Sequence, residues 1–283
     1  MHFGYNTNGF AHHRLEDTLP ILADLGYSSV ALTLDYHTLN PYEPDLKRRC
    51  ADVRKLLERL KLRCVIETGA RFLLDPRRKH QPTLVSSRDE DRKRRLDFLC
   101  LAVDIAAELN ADAVSFWSGT PGEAVPEVDL MVRFAGACND LCAYAALKRV
   151  RLAFEPEPGM FIDTMAKFEE LHRRVDHGAF GLTLDVGHLH CQGELPIAEH
   201  IHRWKDRLWN VHIEDMRRGV HDHLMFGEGE MDFPPILQAL REVGYEGGIH
   251  VELSRHSHDA VRTATKAIEF LRHASAKPQA ADC

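Results

Sequence analysis

The stretch FGLTLDVGHLH, residues 180–190, is a short apolar run that leads into an aspartate and two histidines. Similar runs lead into RLAFE (151–155), NVHIED (210–215) and IHVE (249–252), and four more precede them in the chain. Short apolar runs of this kind are typical of buried strands. The eight predicted strands are His2–Tyr5, Ser29–Leu34, Arg63–Glu67, Ala113–Trp117, Arg151–Glu155, Phe180–Asp185, Leu208–Ile213 and Gly248–Glu252.

Between these strands, apolar residues recur every three or four positions, which is the period of an amphipathic helix. Gly26 and Gly244 follow two of the segments, where glycine relieves the strain of a helix C-terminus. Strands that alternate with helices predict a parallel α/β sheet, and a count of eight predicts a closed (β/α)₈ TIM barrel. The predicted helices are Leu15–Leu25, Leu46–Leu60, Leu96–Leu109, Val128–Leu147, Thr164–Val175, Leu195–Trp204, Phe233–Val243 and Asp259–Arg272.

Length and composition limit the function. The 283 residues suit one such barrel, so we expect a single domain over residues 1–283, with a disordered C-terminal tail of about ten residues. The net charge of −7 argues against nucleic acid as a partner, because phosphate backbones require basic surfaces. Seven scattered cysteines, no signal peptide and no membrane-spanning run predict a cytoplasmic protein that does not bind membranes.

Four consecutive predicted strands end in residues that can bind a metal: Glu155, Asp185, His212 and Glu252. Catalytic groups of this fold lie at the C-terminal ends of the strands. Three carboxylates held together there would repel one another without a compensating cation. Oxygen ligands with one imidazole favour Mn²⁺, Co²⁺ or Mg²⁺, and Zn²⁺ is also compatible. We therefore predict that these four residues bind one divalent metal ion.

The motifs LDVGHLH, VHIED followed by H-x-H and GEG, and HVE resemble those of the xylose-isomerase-like barrels. This family includes sugar phosphate isomerases, ketose 3-epimerases, inosose-processing enzymes and endonuclease IV. The resemblance covers essentially the whole chain and is most specific from Glu155 to Glu252. It implies the same four metal ligands in the epimerase branch. It also implies that His188 and an arginine after the seventh strand, Arg217 or Arg218, bind substrate.

Other residues near the predicted strand ends are candidate substrate ligands. Glu157 follows the fifth strand, and Glu67 closes the third. In GVHDHLMFGEGEMDF (219–233), His221 and His223 resemble the D-x-H pair that binds additional zinc ions in the endonuclease branch. The first position is histidine here. After strands two to four, where this branch carries histidines, the chain instead offers Asp35 and His37, Glu67, and Trp117 with Ser118. We expect His223 to contact substrate, and a second metal at His221 and His223 is the alternative.

These residues together predict a metal-dependent isomerase or epimerase of a sugar or cyclitol. Glu155 and Glu252 are the predicted catalytic pair: one carboxylate removes a proton beside a carbonyl, and the other returns it to the enediolate. Three alternatives stay open, namely an inosose-type dehydratase at the same metal, an endonuclease IV-like phosphodiesterase, and a non-catalytic sugar-binding barrel. The expected partner is a small sugar or cyclitol, and the apolar outer helices are compatible with a homodimer.

The segment Gly69–Arg95 is rich in basic residues and follows the predicted third strand. An exposed loop that leads into a solvated helix face explains this composition. The alternative is a lid that contacts an anionic group of the substrate, since loops after barrel strands reach the catalytic face.

Overall fold

The fold is a closed parallel barrel, as predicted. The computed structural model describes residues 1–122 and 124–276. Two short strands, β8 (Asp215–Arg217) and β9 (Val220–Leu224), form an antiparallel hairpin outside the barrel. The barrel strands are β1 (His2–Asn6), β2 (Ser29–Thr33), β3 (Arg63–Glu67), β4 (Val114–Phe116), β5 (Leu152–Phe154), β6 (Phe180–Asp185), β7 (Leu208–Ile213) and β10 (Gly248–Val251). They pair in the order β1-β10-β7-β6-β5-β4-β3-β2 and then close.

Helices cover the outside of the barrel. They are α1 (Leu15–Leu25), α2 (Leu46–Leu60), α3 (Asp89–Leu109), α4 (Glu127–Lys148), α5 (Met165–Val175), α6 (Val186–Gln192), α7 (Ile197–Trp204), α8 (Phe233–Glu242) and α9 (Ala260–Ala276). Gly26 and Gly244 have φ angles of 92° and 66°, so both predicted helix ends are left-handed glycines. None of the helices described is long and apolar enough to cross a membrane. The predicted C-terminal tail falls largely outside the described residues.

Helix α3 begins earlier than predicted, and helix α6 and strands β8 and β9 were not predicted. Helix α3 begins at Asp89 rather than Leu96, because its first turn is acidic and carries no apolar period; acidic side chains favour a helix N-terminus. Helix α6 is too short to show a period, and the Asp185 carboxylate caps it by accepting a hydrogen bond from the His188 N–H at 2.8 Å. The β8–β9 hairpin was not predicted, since its strands are short and polar.

Aromatic packing fixes the short strand that leads to Glu155. The ring of Phe154, the last residue of β5, stacks on Phe168 of α5 with centroids 5.9 Å apart. The same ring meets Phe116 of β4 edge-on at 5.3 Å, and Phe134 of α4 at 5.7 Å. All four side chains are buried. Because β5 has only three residues, this contact between barrel and helices holds the backbone position from which Glu155 projects.

Buried polar side chains also occupy the barrel interior, among them Ser29, Asn210 and His250. Side chains alternate along a strand, so residues two apart face the same side. His212 is paired in register with Asp185 of β6 and with His250 of β10. The His250 ring occupies a space left by two glycines, because a Cβ on Gly4 or Gly248 would overlap it. Glycine is therefore required at these positions to admit an imidazole into the barrel.

Candidate metal centre and active site

The four predicted metal ligands come together at the C-terminal ends of four adjacent strands. Glu155 follows β5, Asp185 ends β6, His212 lies in β7 and Glu252 follows β10. One ligand atom from each residue lies within 4.8 Å of the others. Glu155, Asp185 and His212 are at most 4% exposed. A single ion of ordinary coordination radius can therefore contact all four side chains at once.

His212 is the centre of this cluster. Its Nδ1 atom lies 3.0 Å from Glu155 Oε1 and 3.0 Å from Glu252 Oε2, and 3.9 Å from Asp185 Oδ2. Its other ring nitrogen, Nε2, lies 2.8 Å from Glu67 Oε1. A carboxylate that accepts the proton of one ring nitrogen leaves the lone pair of the other nitrogen for a metal. Glu67 thus directs Nδ1 of His212 toward the three carboxylates.

The electrostatics of the cluster favour a bound cation. Burial raises the pKa of Glu155 to about 8. Burial also acts to raise the pKa of Glu252, but the attraction to His212 outweighs it and lowers that pKa. The buried Oδ2 of Asp185 has no hydrogen-bond partner among the residues that the structure describes. An unpartnered carboxylate oxygen beside two further carboxylates and one imidazole fits a divalent cation, and this donor set indicates a divalent metal site.

A hydrogen-bonded relay supports the cluster from inside the barrel. Ser29 Oγ lies 2.8 Å from His250 Nε2, and His250 Nδ1 lies 2.8 Å from Asn210 Oδ1. The Asn210 amide donates to Glu67 Oε1 at 3.0 Å. Ser29, Asn210 and His250 were not among the residues predicted to form the site. Two of these residues could have been predicted from the sequence. Asn210 and His250 each precede a predicted ligand by two residues, and this spacing places side chains on the same face of a strand.

Three histidines form a second cluster beside the first. His221 and His223, from β9, meet His188 of α6: the Nε2 atom of His221 lies 3.1 Å from that of His188 and 3.2 Å from that of His223. Ligand atoms from the three rings lie within 4.8 Å of one another. The other nitrogen of His188 lies 3.2 Å from the Pro156 carbonyl oxygen, and burial lowers the His188 pKa to about 4. The unpredicted hairpin is what brings these rings together.

Two acidic residues after β7, Glu214 and Asp215, had no predicted role. Glu214 is fully buried, and neither of its carboxylate oxygens has a hydrogen-bond partner within residues 1–122 and 124–276. Its Oε2 atom is 3.8 Å from His223 Nδ1, and burial raises its pKa well above the usual value. Asp215 accepts hydrogen bonds from the Gly227 and Met231 N–H groups at 2.8 and 3.1 Å. It thereby fixes the loop that carries GEG.

A cavity of about 300 Å³ opens onto the cluster of proposed metal ligands. The predicted substrate ligands Glu67, Glu157 and His223 line it, and so does His221. The exposed Arg217 does not line the cavity, because its Nη2 donates to the Glu228 carbonyl oxygen at 3.0 Å. The lining also includes Asn8, Arg71, Lys79, His80, Trp117 and Arg255. The Asn8 side-chain amide donates a hydrogen bond to Glu252 Oε1 at 2.7 Å.

The sequence matches the family described as xylose isomerase-like TIM barrel over residues 19–274. The chain therefore belongs to this family, as the motifs indicated. Inosose dehydratase of Lacticaseibacillus casei is 30% identical over 151 residues, which are 47% of this chain and 50% of that protein. Fructoselysine 3-epimerase of Shigella flexneri is 27% identical over 57% of this chain and 59% of that protein. The chain thus spans about half the length of these curated relatives.

Solved structures share the whole fold at low identity. D-allulose 3-epimerase from Methylomonas sp. in complex with D-allulose has a TM-score of 0.75 and 21% identity, and the match covers 96% of both chains. An L-ribulose 3-epimerase has a TM-score of 0.77 and 20% identity, covering 97% of this chain and 94% of that one. The IOLI protein with a binding zinc atom has a TM-score of 0.76, 15% identity and 97% and 98% coverage. At these identities the likeness concerns the fold.

Proposed function

We propose that this protein is a divalent-metal-dependent epimerase or isomerase that transfers a proton at the carbon beside a carbonyl of a sugar or cyclitol. The observation that carries the proposal is that Glu155 and Glu252 both line the cavity and each place a carboxylate oxygen 3.0 Å from His212 Nδ1. The relatives named epimerase or dehydratase, and the structural neighbour that holds D-allulose, support a sugar-like substrate.

The proton transfer needs one carboxylate on each face of the substrate. One of Glu155 and Glu252 takes the proton from the carbon, and the bonding pair moves toward the carbonyl oxygen to give an enediolate. The other carboxylate donates a proton to the opposite face, so the configuration at that carbon inverts. The contrasting environments of the two residues suit this division, because burial favours the protonated form of Glu155 while His212 favours the ionised form of Glu252.

The residues that would hold the metal are Glu155, Asp185, His212 and Glu252. A bound divalent cation polarises a carbonyl and stabilises negative charge on its oxygen. Around it, this chain positions the ligands: Glu67 orients His212, and Asn8 holds the Glu252 carboxylate. His188, His223 and Glu157 are the proposed contacts of the substrate's remaining hydroxyl groups.

A dehydratase of the inosose type is the second candidate, because the inosose dehydratases match this chain at 30% identity. It would use the same proton abstraction. The electron pair of the enediolate would then expel a hydroxyl group from the next carbon as water, provided that a general acid supplies a proton. The protonated form of Glu155 is placed to do so.

The test measures metal content and proton exchange together. Protein purified without chelator is analysed for metal, beside Asp185→Asn and the matched surface variant Asp24→Asn. We expect about one divalent ion per wild-type and Asp24→Asn chain, and loss of the ion from Asp185→Asn. The Mn²⁺- or Co²⁺-loaded protein is then incubated with ketoses and inososes in D₂O.

Epimerase activity would appear in NMR spectra as deuterium at the inverted carbon. Dehydratase activity would appear as an ultraviolet-absorbing enone without an epimer. Absence of bound metal after Mn²⁺, Co²⁺, Mg²⁺ and Zn²⁺ have each been added would overturn the metal-dependent proposal. Two or three zinc ions per chain would instead favour the phosphodiesterase alternative.

A further inference from the structure

The cavity that opens onto the cluster of proposed metal ligands also has a side lined by basic residues. Arg71, Lys79 and His80 come from the loop between β3 and α3, and all three line the cavity. We call these three residues the basic wall. The loop folds back on itself there, because the His80 N–H donates to the Arg71 carbonyl oxygen at 2.6 Å. One hydrogen bond thus brings both ends of the segment 71–80 to the same side of the cavity.

The two permanent charges of the basic wall have no carboxylate partner in the part of the chain that the structure describes. Among residues 1–122 and 124–276, neither Arg71 nor Lys79 forms an ion pair with an acidic side chain within 4.0 Å. By contrast, Arg255, the other cation of the lining, pairs with Asp222, and Arg78 of the same loop pairs with Asp75 at 2.7 Å. The charges of Arg71 and Lys79 therefore do not stabilise the loop through such ion pairs.

A third cation lies behind the wall. Arg95 of α3 is 1% exposed, its guanidinium packs 4.3 Å from the centre of the Trp117 ring, and no carboxylate in the described part of the chain pairs with it. It donates to the Thr68 carbonyl oxygen at 2.8 Å. The His80 ring also packs near Trp117, with the two ring centroids 5.2 Å apart. A buried cation without a counter-ion leaves a positive potential at the adjacent surface.

The imidazole of the basic wall responds to this field. Burial, together with the nearby charges of Lys79, Arg95 and Arg71, lowers the pKa of His80 to about 3. His80 is therefore neutral near pH 7 and offers hydrogen bonds without adding to the charge. The backbone holds it in a defined place, since Ala70 and His80 have left-handed φ angles of 44° and 65°. Such conformations persist in non-glycine residues only where the surroundings enforce them.

We propose that the substrate carries an anionic group, a phosphate monoester or a carboxylate, which binds to Arg71 and Lys79 while its keto-alcohol end lies between Glu155 and Glu252. The inference rests on the proposed function and names the substrate class. A cavity of about 300 Å³ has room for one small molecule that reaches both sides. A planar guanidinium beside a flexible ammonium is a donor set that recognises oxyanions.

The experiment compares neutral and anionic ketoses on the same protein. Binding of D-fructose, D-fructose 6-phosphate and 5-keto-D-gluconate to the metal-loaded protein is measured by calorimetry. The variants are Arg71→Gln and Lys79→Gln, and the control is Arg77→Gln, an exposed residue of the same loop that does not line the cavity. Inorganic phosphate is titrated into Asp185→Asn, with and without Arg71→Gln, so that the anion is measured away from a metal ion.

We expect one of the two anionic ketoses to bind at least about tenfold more tightly than D-fructose. Arg71→Gln and Lys79→Gln should each remove most of that preference, and Arg77→Gln should keep it. A phosphate preference identifies the phosphate monoester, and a preference for 5-keto-D-gluconate identifies the carboxylate. Equal affinities for all three sugars, unchanged in both variants, would overturn the inference.

The two proposals fail separately. Turnover of neutral ketoses with no effect of Arg71→Gln would leave the epimerase proposal standing and reject the anionic substrate. Phosphate binding to Asp185→Asn that is lost with Arg71→Gln would support the basic wall even if no sugar is turned over. No phosphate binding to Asp185→Asn, with a normal circular dichroism spectrum, would count against the wall.

Discussion

Glu67 and His212, which are far apart in sequence, meet across the barrel with 2.8 Å between Oε1 and Nε2. This contact decides which ring nitrogen of His212 faces the three acidic side chains. Glu67 was predicted as a substrate ligand. Glu67 lines the cavity and also contacts His212 and Asn210, so its contacts support a role in positioning the proposed metal ligand His212.

Glu67→Gln should weaken metal binding by about 10- to 100-fold, because an amide is a poorer acceptor for the His212 proton than a carboxylate. The dissociation constant for Mn²⁺ or Co²⁺ is measured by competition with a chelator. Glu246→Gln, an exposed residue at the other end of β10, is the matched control and should bind metal as the wild type does. Equal affinities in the two variants would show that Glu67 does not orient the ligand.

Glu155→Gln and Glu252→Gln should each reduce turnover by about 10² to 10⁴-fold even at saturating metal, because each removes a group that transfers a proton. The readout is kcat for the identified substrate, measured together with deuterium exchange. If the carboxylates act on opposite faces, one variant retains exchange with only one of the two epimers. Near-normal rates in either variant would contradict the two-base scheme.

His188→Ala should raise the Michaelis constant with little change in kcat, if His188 binds substrate as its motif implies. Its position supports this only indirectly, since its free nitrogen faces His221, which lines the cavity. The control is His202→Ala, an exposed histidine on α7. An unchanged Michaelis constant would assign His188 to support of the His221 ring.

His80→Gln should make the protein less sensitive to acid. In the unfolded chain this imidazole takes up a proton near pH 6.5, whereas burial delays uptake in the folded protein to a pH of about 3. Between these values the unfolded state binds more protons, so stability falls as the pH falls, by up to about 1.4 kcal/mol per pH unit. Urea unfolding at pH 7.5, 6 and 5 should show that the free energy of unfolding falls less steeply with pH in His80→Gln than in the wild type. Parallel curves would disprove this linkage.

Phe154→Ala should lower the free energy of unfolding by about 3–5 kcal/mol, because it leaves a cavity between the barrel and the helix-side rings of Phe134 and Phe168. The measurement is urea denaturation of the metal-free protein, which separates packing from metal binding. Leu147→Ala, at a side chain that is 83% exposed, should change stability by less than about 0.5 kcal/mol. Similar losses in both variants would show that the Phe154 contacts do not hold the strand.

The sequence predicted the barrel and the shared position of the four proposed metal ligands, because both follow from local order. Strand period, strand count and the rule that catalytic groups lie at strand ends place Glu155, Asp185, His212 and Glu252 together without any knowledge of tertiary contacts. The helix α6 and the β8–β9 hairpin escaped prediction because they are short and polar. The contact of His188 with His221 depends on both elements and could not be derived from either motif alone.

Charge pairing was likewise beyond the sequence. The segment Gly69–Arg95 contains many basic residues, and composition does not distinguish Arg78, which pairs with Asp75, from Arg71, which lines the cavity. That distinction depends on how the loop returns from His80 to Arg71. The substrate role predicted for Arg217 stays a prediction, since its guanidinium contacts the Glu228 carbonyl oxygen outside the cavity.

The relay from Ser29 through His250 and Asn210 to Glu67 has a consequence for protein engineering. A stability redesign would regard three buried polar side chains inside a barrel as candidates for aliphatic replacement, and the usual gain from better packing is real. Here such a change would remove the hydrogen bonds that hold Glu67 against His212. Variants selected only for heat resistance would then lose affinity at the proposed metal site, so the interior below the cavity must be kept together with the strand ends above it.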